Sequence, residues 1–194
     1  MRLPPILPAE LTGEQRQLYE DMRRGSSAKY SSFRTVDDHG ALLGPWNAWL
    51  HDPAIGAAMW GLSKALTAAS RLPDNVRQIL ILVVGAAYAA DYELYAHEAV
   101  ARTKHGVSDE VLVSITAGRM PTSLNEDERL AYDLASALCQ GKALSHLAYR
   151  TGQRHFGQPG LNELIYLVGY YSMLAITLNA YDVPAPEEPA TQPA

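Results

Sequence analysis

The stretch that most constrains the fold runs from Leu72 to Gly106, LPDNVRQILILVVGAAYAADYELYAHEAVARTKHG. It reads as two helices meeting at a tight joint. Pro73 and Asp74 open the first: the proline restricts the entry, and the aspartate is available to hold free N–H groups of the first turn. From Ile79 to Ala90 every residue except Gly85 and Tyr88 is plainly apolar, which predicts a helix buried on most sides. Asp91 is placed to cap the second helix, and Gly106 stands where a left-handed C-terminal residue is wanted. Near the start of that second helix, Glu93 and His97 are four residues apart, so their side chains share a face and can touch. No other pair in the chain is better placed for chemistry.

The rest of the chain supplies more helices. Thr12-Gly-Glu-Gln15 is a capping pattern that starts a helix ending at Gly25. Residues 26–40 are polar and aperiodic and predict a long loop, of the kind that serves or covers a site. Gly44-Pro45 breaks the chain, with Trp46 and Trp49 three apart just after it. Asp52-Pro53 opens a helix with Ile55, Met59, Leu62 and Leu66 on one stripe. Ser108 caps a short helix closed by Gly118, and Asn125 or Ser123 caps the next, lined by Leu130, Leu134 and Leu138. Ser145 to Phe156 forms a helix closed by Gly157, and Leu161 to Ala180 forms a long apolar one. No stretch alternates with period two, so the expected class is all-α.

At 194 residues the chain is long enough for a single domain with a full core. The division expected is an N-terminal extension over 1–39, a helical domain over 40–184 and a disordered, Pro-rich tail over 185–194. A net charge of -5 argues against an extended nucleic-acid surface. No apolar run reaches the roughly 18–20 residues of a membrane span, and the N-terminal apolar run is too short for a signal peptide, so cytoplasmic residence is the expectation. Cys139 is the only cysteine, which excludes an intrachain disulfide and a dithiol centre; its apolar context predicts an inert buried thiol.

Arg77 with the apolar helix after it, then Glu93, His97, Ala101, Gly106, Val107 and the acidic Asp109-Glu110-Val111, resemble the carboxymuconolactone decarboxylase family, within the alkylhydroperoxidase D-like (AhpD-like) superfamily. The resemblance covers roughly residues 40–184, the block from Gly160 to Pro184 resembling the closing helix of the longer single-domain members. It implies an AhpD-like helical bundle assembled as a homotrimer, or a hexamer built from trimers. Peroxidase-type members carry Cys-x-x-Cys ahead of the histidine and a glutamate relay on the preceding helix. Here those positions hold Ala90, Glu93 and Gln78, so thiol-based peroxidase activity does not carry over. The decarboxylase branch has Glu-x-x-x-His at this place, which Glu93 and His97 match.

The resemblance implies a lyase acting on a small carboxylated lactone or related ring-cleavage acid, in the catabolism of aromatic compounds. His97 is then the acid–base catalyst, and Glu93 holds its imidazole and favours the imidazolium that stabilises and protonates the carbanion left by decarboxylation. Arg77 is a candidate clamp for the substrate carboxylate. Tyr92, Tyr95 and Gln78 join it as substrate-binding candidates, and Tyr170 and Tyr171 are further ring-bearing wall residues. His51, His105, His146 and His155 show no zinc-like spacing, so neither a metal nor another cofactor is expected. The competing reading is a catalytically silent binding or scaffold oligomer of the same fold, in which the pair is an ordinary helix-surface contact.

Overall fold

The computed structural model describes residues 1–187, apart from the side chains of residues 27–29, and every regular element among them is helical. The elements are α1 (Gly13–Lys29), α2 (Pro45–His51), α3 (Pro53–Ala68), α4 (Asp74–Tyr88), α5 (Asp91–His105), α6 (Asp109–Thr116), α7 (Glu126–Cys139) and α8 (His146–Ala180). Residues 188–194 of the expected tail lie outside the described residues.

Helix α4 is the axis. Each residue from Ile79 to Gly85 is buried, because α5, α7 and α8 cover it on different sides. One apolar cluster joins Val76, Leu80 and Val84 of α4 to Leu112 and Ile115 of α6, Leu134 of α7, and Leu161 and Leu164 of α8. A second gathers Leu18 and Met22 of α1, Leu42, Trp46, Leu50 and Trp60 against Tyr92 of α5 and Tyr170 and Leu174 of α8. Leu66 and Tyr171 pack against both. The stretch before residue 40 thus contributes core side chains through α1.

The caps follow local chemistry. Thr12 and Gln15 form the expected capping box, Asn125 forms another with Glu128, and the Ser108 and Ser145 hydroxyls accept from Val111 and Ala148. Gly106 and Gly118 take positive φ at the ends of α5 and α6. Asp74 and Asp91 do not cap by side chain; they are the first residues of α4 and α5, where their charge still favours the positive helix end. The α4–α5 joint closes through Ala89 at φ 50, with Ala90 N–H donating to Gly85 O at 2.9 Å.

Tertiary packing overrides the sequence pattern in three places. Gly25 does not end α1, which runs on to Lys29; a Cβ there would lie 2.5 Å from the Trp60 ring, so the glycine admits the tryptophan. The stripe Ile55–Met59–Leu62–Leu66 is not the buried face of α3. Gly56 and Trp60 are, with the Trp60 indole N–H donating to Asp21 at 3.0 Å, while Ile55 is 61% exposed and Leu62 42%. Finally, α8 continues past the expected stop at Gly157, where a non-helical φ of 67° kinks it ahead of Pro159. Its apolar part has a mean hydropathy of 1.3 over 18 residues, long and apolar enough to cross a membrane, contrary to the sequence reading; half of that window is buried inside the fold.

Candidate functional site

The joint between α4 and α5 puts Glu93 and His97 on the inward side of α5, against the seam of the two clusters. Glu93 is 3% exposed and His97 9%. Both stand in the wall of a small cavity of about 40 Å³, otherwise lined mainly by aromatic rings. His97 Nδ1 lies 2.9 Å from Gln78 Oε1, and the Tyr171 ring meets the imidazole edge-on at 5.1 Å. An amide oxygen only accepts, so Gln78 fixes the proton on Nδ1.

Glu93 does not hold the imidazole, contrary to expectation. Neither of its carboxyl oxygens has a hydrogen-bond partner. The i, i+4 spacing brings the two residues to one face, but Gln78 reaches across from α4 and takes the ring nitrogen first. Burial pushes the Glu93 carboxyl well above the usual carboxylate range, so the environment favours the neutral acid. The unfolded chain releases this proton at lower pH than the folded one. The folded state therefore binds more protons above about 4.5, and stability is lost as pH rises from there toward the raised folded pKa. Glu93→Gln is expected to melt above the native protein at pH 8, the gap narrowing toward pH 5. Thermal melts across that range, below the ionisation of tyrosines and the thiol, check it; an equal difference at every pH would contradict a buried acid.

Arg77 is not free to clamp a ligand. Its guanidinium is ion-paired with Glu163 of α8 and donates to Ser70 Oγ and Leu66 O. Glu163 also accepts from the backbone N–H groups of Arg71 and Leu72, so the pair staples the α3–α4 connection to α8. Tyr92 lines the cavity with its ring, while its hydroxyl donates to Arg34 O at 3.0 Å. Tyr95 is outside the cavity wall; its hydroxyl accepts from Arg34 N–H at 3.1 Å. The two tyrosines thus pin the loop over residues 30–43 rather than reaching for a ligand. Gly44, at φ 60, lets the chain pass over Tyr92, since a Cβ there would lie 2.2 Å from the ring.

The wall residues that sequence reading passed over are Tyr30 and Phe33. Phe33 stacks on Trp46 at 6.3 Å and meets Tyr92 edge-on, so the loop closes the cavity. Two aromatics in a polar loop of this length were the available signal. Tyr170 and Tyr171 also line the cavity, and burial raises both hydroxyls above the ordinary tyrosine range.

Cys139, half-buried on α7, is not in this wall. It borders a separate groove with Val83, Ile115 and Ser136, and burial, then the charge of Glu93, pushes its thiol up. A raised pKa makes a poorer nucleophile at neutral pH. Cys139→Ser is expected to leave turnover and assembly unchanged; a loss of activity with an unaltered melting curve would restore a thiol mechanism. Among the described residues no group of three or more His, Cys, Asp or Glu side chains is placed to hold a metal.

Residues 53–137 match the carboxymuconolactone decarboxylase family model. The fold matches a solved structure of an alkylhydroperoxidase AhpD core, an uncharacterized peroxidase-related protein from Ralstonia eutropha JMP134, at a TM-score of 0.76 and 14% identity, covering 96% of this chain and 92% of that one. It also matches the debrominase Bmp8, both in complex with 2,3,4-tribromopyrrole (TM-score 0.70, 17% identity, covering 96% and 92%) and in its apo form (0.70, 16%, covering 95% and 91%). Residues 53–137 thus resemble the carboxymuconolactone decarboxylase family, and the fold as a whole is AhpD-like. No curated protein matches it. The matched segment contains Gln78, Glu93 and His97, while Tyr30, Phe33 and Trp46 precede it and Tyr170 and Tyr171 follow it. Glu93 and His97 thus lie in the matched segment, and most of the ring-bearing wall lies outside it.

Proposed function

We propose that the cavity is the active site of an acid–base enzyme acting on a small ring compound, in a carboxy-lyase-type reaction on a ring acid. The observation that carries this reading is the placement of Glu93 and His97 together in a buried aromatic wall, with the Glu93 carboxyl deprived of any hydrogen-bond partner. A wall made largely of aromatic rings suits a flat ring compound.

In the proposed reaction the carbon–carbon bond to the carboxylate breaks, its electron pair moves onto an adjacent carbonyl as an enolate, and CO₂ leaves. His97, protonated at Nε2 from solvent to the imidazolium beforehand, then delivers that proton to the carbon and is left as the neutral imidazole, with Gln78 accepting from Nδ1–H throughout. The Glu93 acid donates a hydrogen bond to the developing oxyanion. Incubation with muconolactone-type and aromatic ring-cleavage acids, read by CO₂ release, tests the reading. Saturable binding of these acids without CO₂ release would favour the silent binder.

A homo-oligomer is proposed alongside. Tyr170 is buried within its own chain and offers no surface for assembly. The exposed large apolar side chains of α8 are Leu147, Tyr149, Tyr166, Met173 and Ile176, and α3 exposes Ile55 and Leu62. Monomers rarely leave such side chains open together. Light scattering is expected to give a mass above the 21.2 kDa of one chain, and Met173→Glu with Ile176→Glu is expected to lower it. A 21.2 kDa species at micromolar concentration would refute assembly.

A further inference from the structure

Trp46 differs from Trp60 in one respect that matters for the cavity. The Trp60 indole N–H is satisfied by Asp21, whereas the Trp46 indole N–H is buried with no hydrogen-bond partner. Among the described residues, the buried side-chain polar atoms left without a partner belong to Trp46 and Glu93, apart from one Glu163 oxygen that is ion-paired with Arg77. Trp46 and Glu93 stand in the wall of the same cavity. Leaving such groups unpaired costs free energy, and folded proteins avoid it unless something else answers the group. Its position is well defined: Trp46 follows Pro45 at the start of α2, and Phe33 and Tyr30 pack on its ring at 6.3 and 5.9 Å.

We infer that Trp46 is a specificity-determining residue that recognises an sp² oxygen, of a carbonyl or carboxylate, carried by the ring ligand. This rests on the reading of the cavity as a ligand site. An indole N–H can only donate, so its partner must be an acceptor, and the unpartnered Glu93 carboxyl in the same wall offers a second donor in its protonated form. Two donors in one wall suit an sp² oxygen, which accepts through two lone pairs. A donor fixed by packing also gains strength as that oxygen becomes an enolate, because nothing has to reorganise.

Three tryptophans give three indole N–H resonances, and Trp46→Phe and Trp60→Phe assign two of them. The native protein is titrated with acetophenone, a neutral ring carbonyl; with benzoate, a ring carboxylate; and with cumene, which keeps the shape without oxygen. The Trp46 indole proton is expected to move downfield with acetophenone, benzoate or both, the responding probe telling carbonyl from carboxylate. Cumene should leave it in place, and Trp60 should not respond to any of the three. Trp46→Phe is expected to weaken the oxygen-bearing probes roughly tenfold or more while cumene changes little. Probes that shift the His97 ring resonances but leave the Trp46 indole unmoved overturn this inference and leave the site reading intact. The inference also fails if Trp46→Phe weakens all bound probes equally. If neither the Trp46 nor the His97 resonances move with any probe, both fail. The titration of native protein stands even where Trp46→Phe does not fold.

Discussion

Replacing His97 by alanine is expected to lower turnover on a confirmed ring-acid substrate by roughly 10²–10⁴-fold, the usual contribution of a positioned general acid. Ligand affinity should change far less, because proton delivery is made in the transition state and not in the bound ground state. The imidazole is held by Gln78 at 2.9 Å and by the Tyr171 ring edge, so its loss removes the proton donor without dismantling the apolar walls. Gln78→Leu should act in the same direction but less severely, since the ring stays while its tautomer and orientation lose their constraint. Full activity of His97→Ala would refute the mechanism and leave Glu93 and His97 as structural features of α5.

Replacing Arg77 by alanine is expected to destabilise the fold by about 3–5 kcal/mol, the typical cost of leaving one member of a buried ion pair alone. Glu163 is almost fully buried, and it answers the Arg71 and Leu72 backbone N–H groups as well as the guanidinium. Removing Arg77 strands that carboxylate. A stability of 5–15 kcal/mol is usual for a domain, so the variant would lose a large share of it. Glu163→Gln in the Arg77→Ala background is expected to recover part of the loss, because the amide oxygen still accepts from the loop N–H groups without carrying charge. Denaturant unfolding of the three variants measures this. If Arg77→Ala instead weakened binding of ring acids with its stability unchanged, the guanidinium would be a ligand clamp after all.

The legible part of this fold was the part set by local rules. The apolar run from Ile79 tells of a buried helix because a helix in that position can shed water only by being covered on several sides. Hydroxyl and amide side chains at 12, 108, 125 and 145 announce helix starts because they answer N–H groups only three residues away. Glu93 and His97 are legible as a pair because helical pitch alone brings i and i+4 together. Which partner each group finds is a different matter. Gln78 is 19 residues before His97, Glu163 is 86 after Arg77, and Arg34 is about 60 before the tyrosines that hold it. Those separations carry no periodic signal. The packing of α4 against α5 and α8 therefore decided that Gln78, not Glu93, holds the imidazole, and that Arg77 is spent on Glu163. It also decided that the buried face of α3 is Gly56 and Trp60, since a glycine that lets a large ring approach can outcompete a more regular aliphatic stripe. The sequence by itself determined the helices and the candidate pair; the tertiary structure decided the charge state favoured at Glu93, because only packing removes a carboxyl from both water and hydrogen-bond partners.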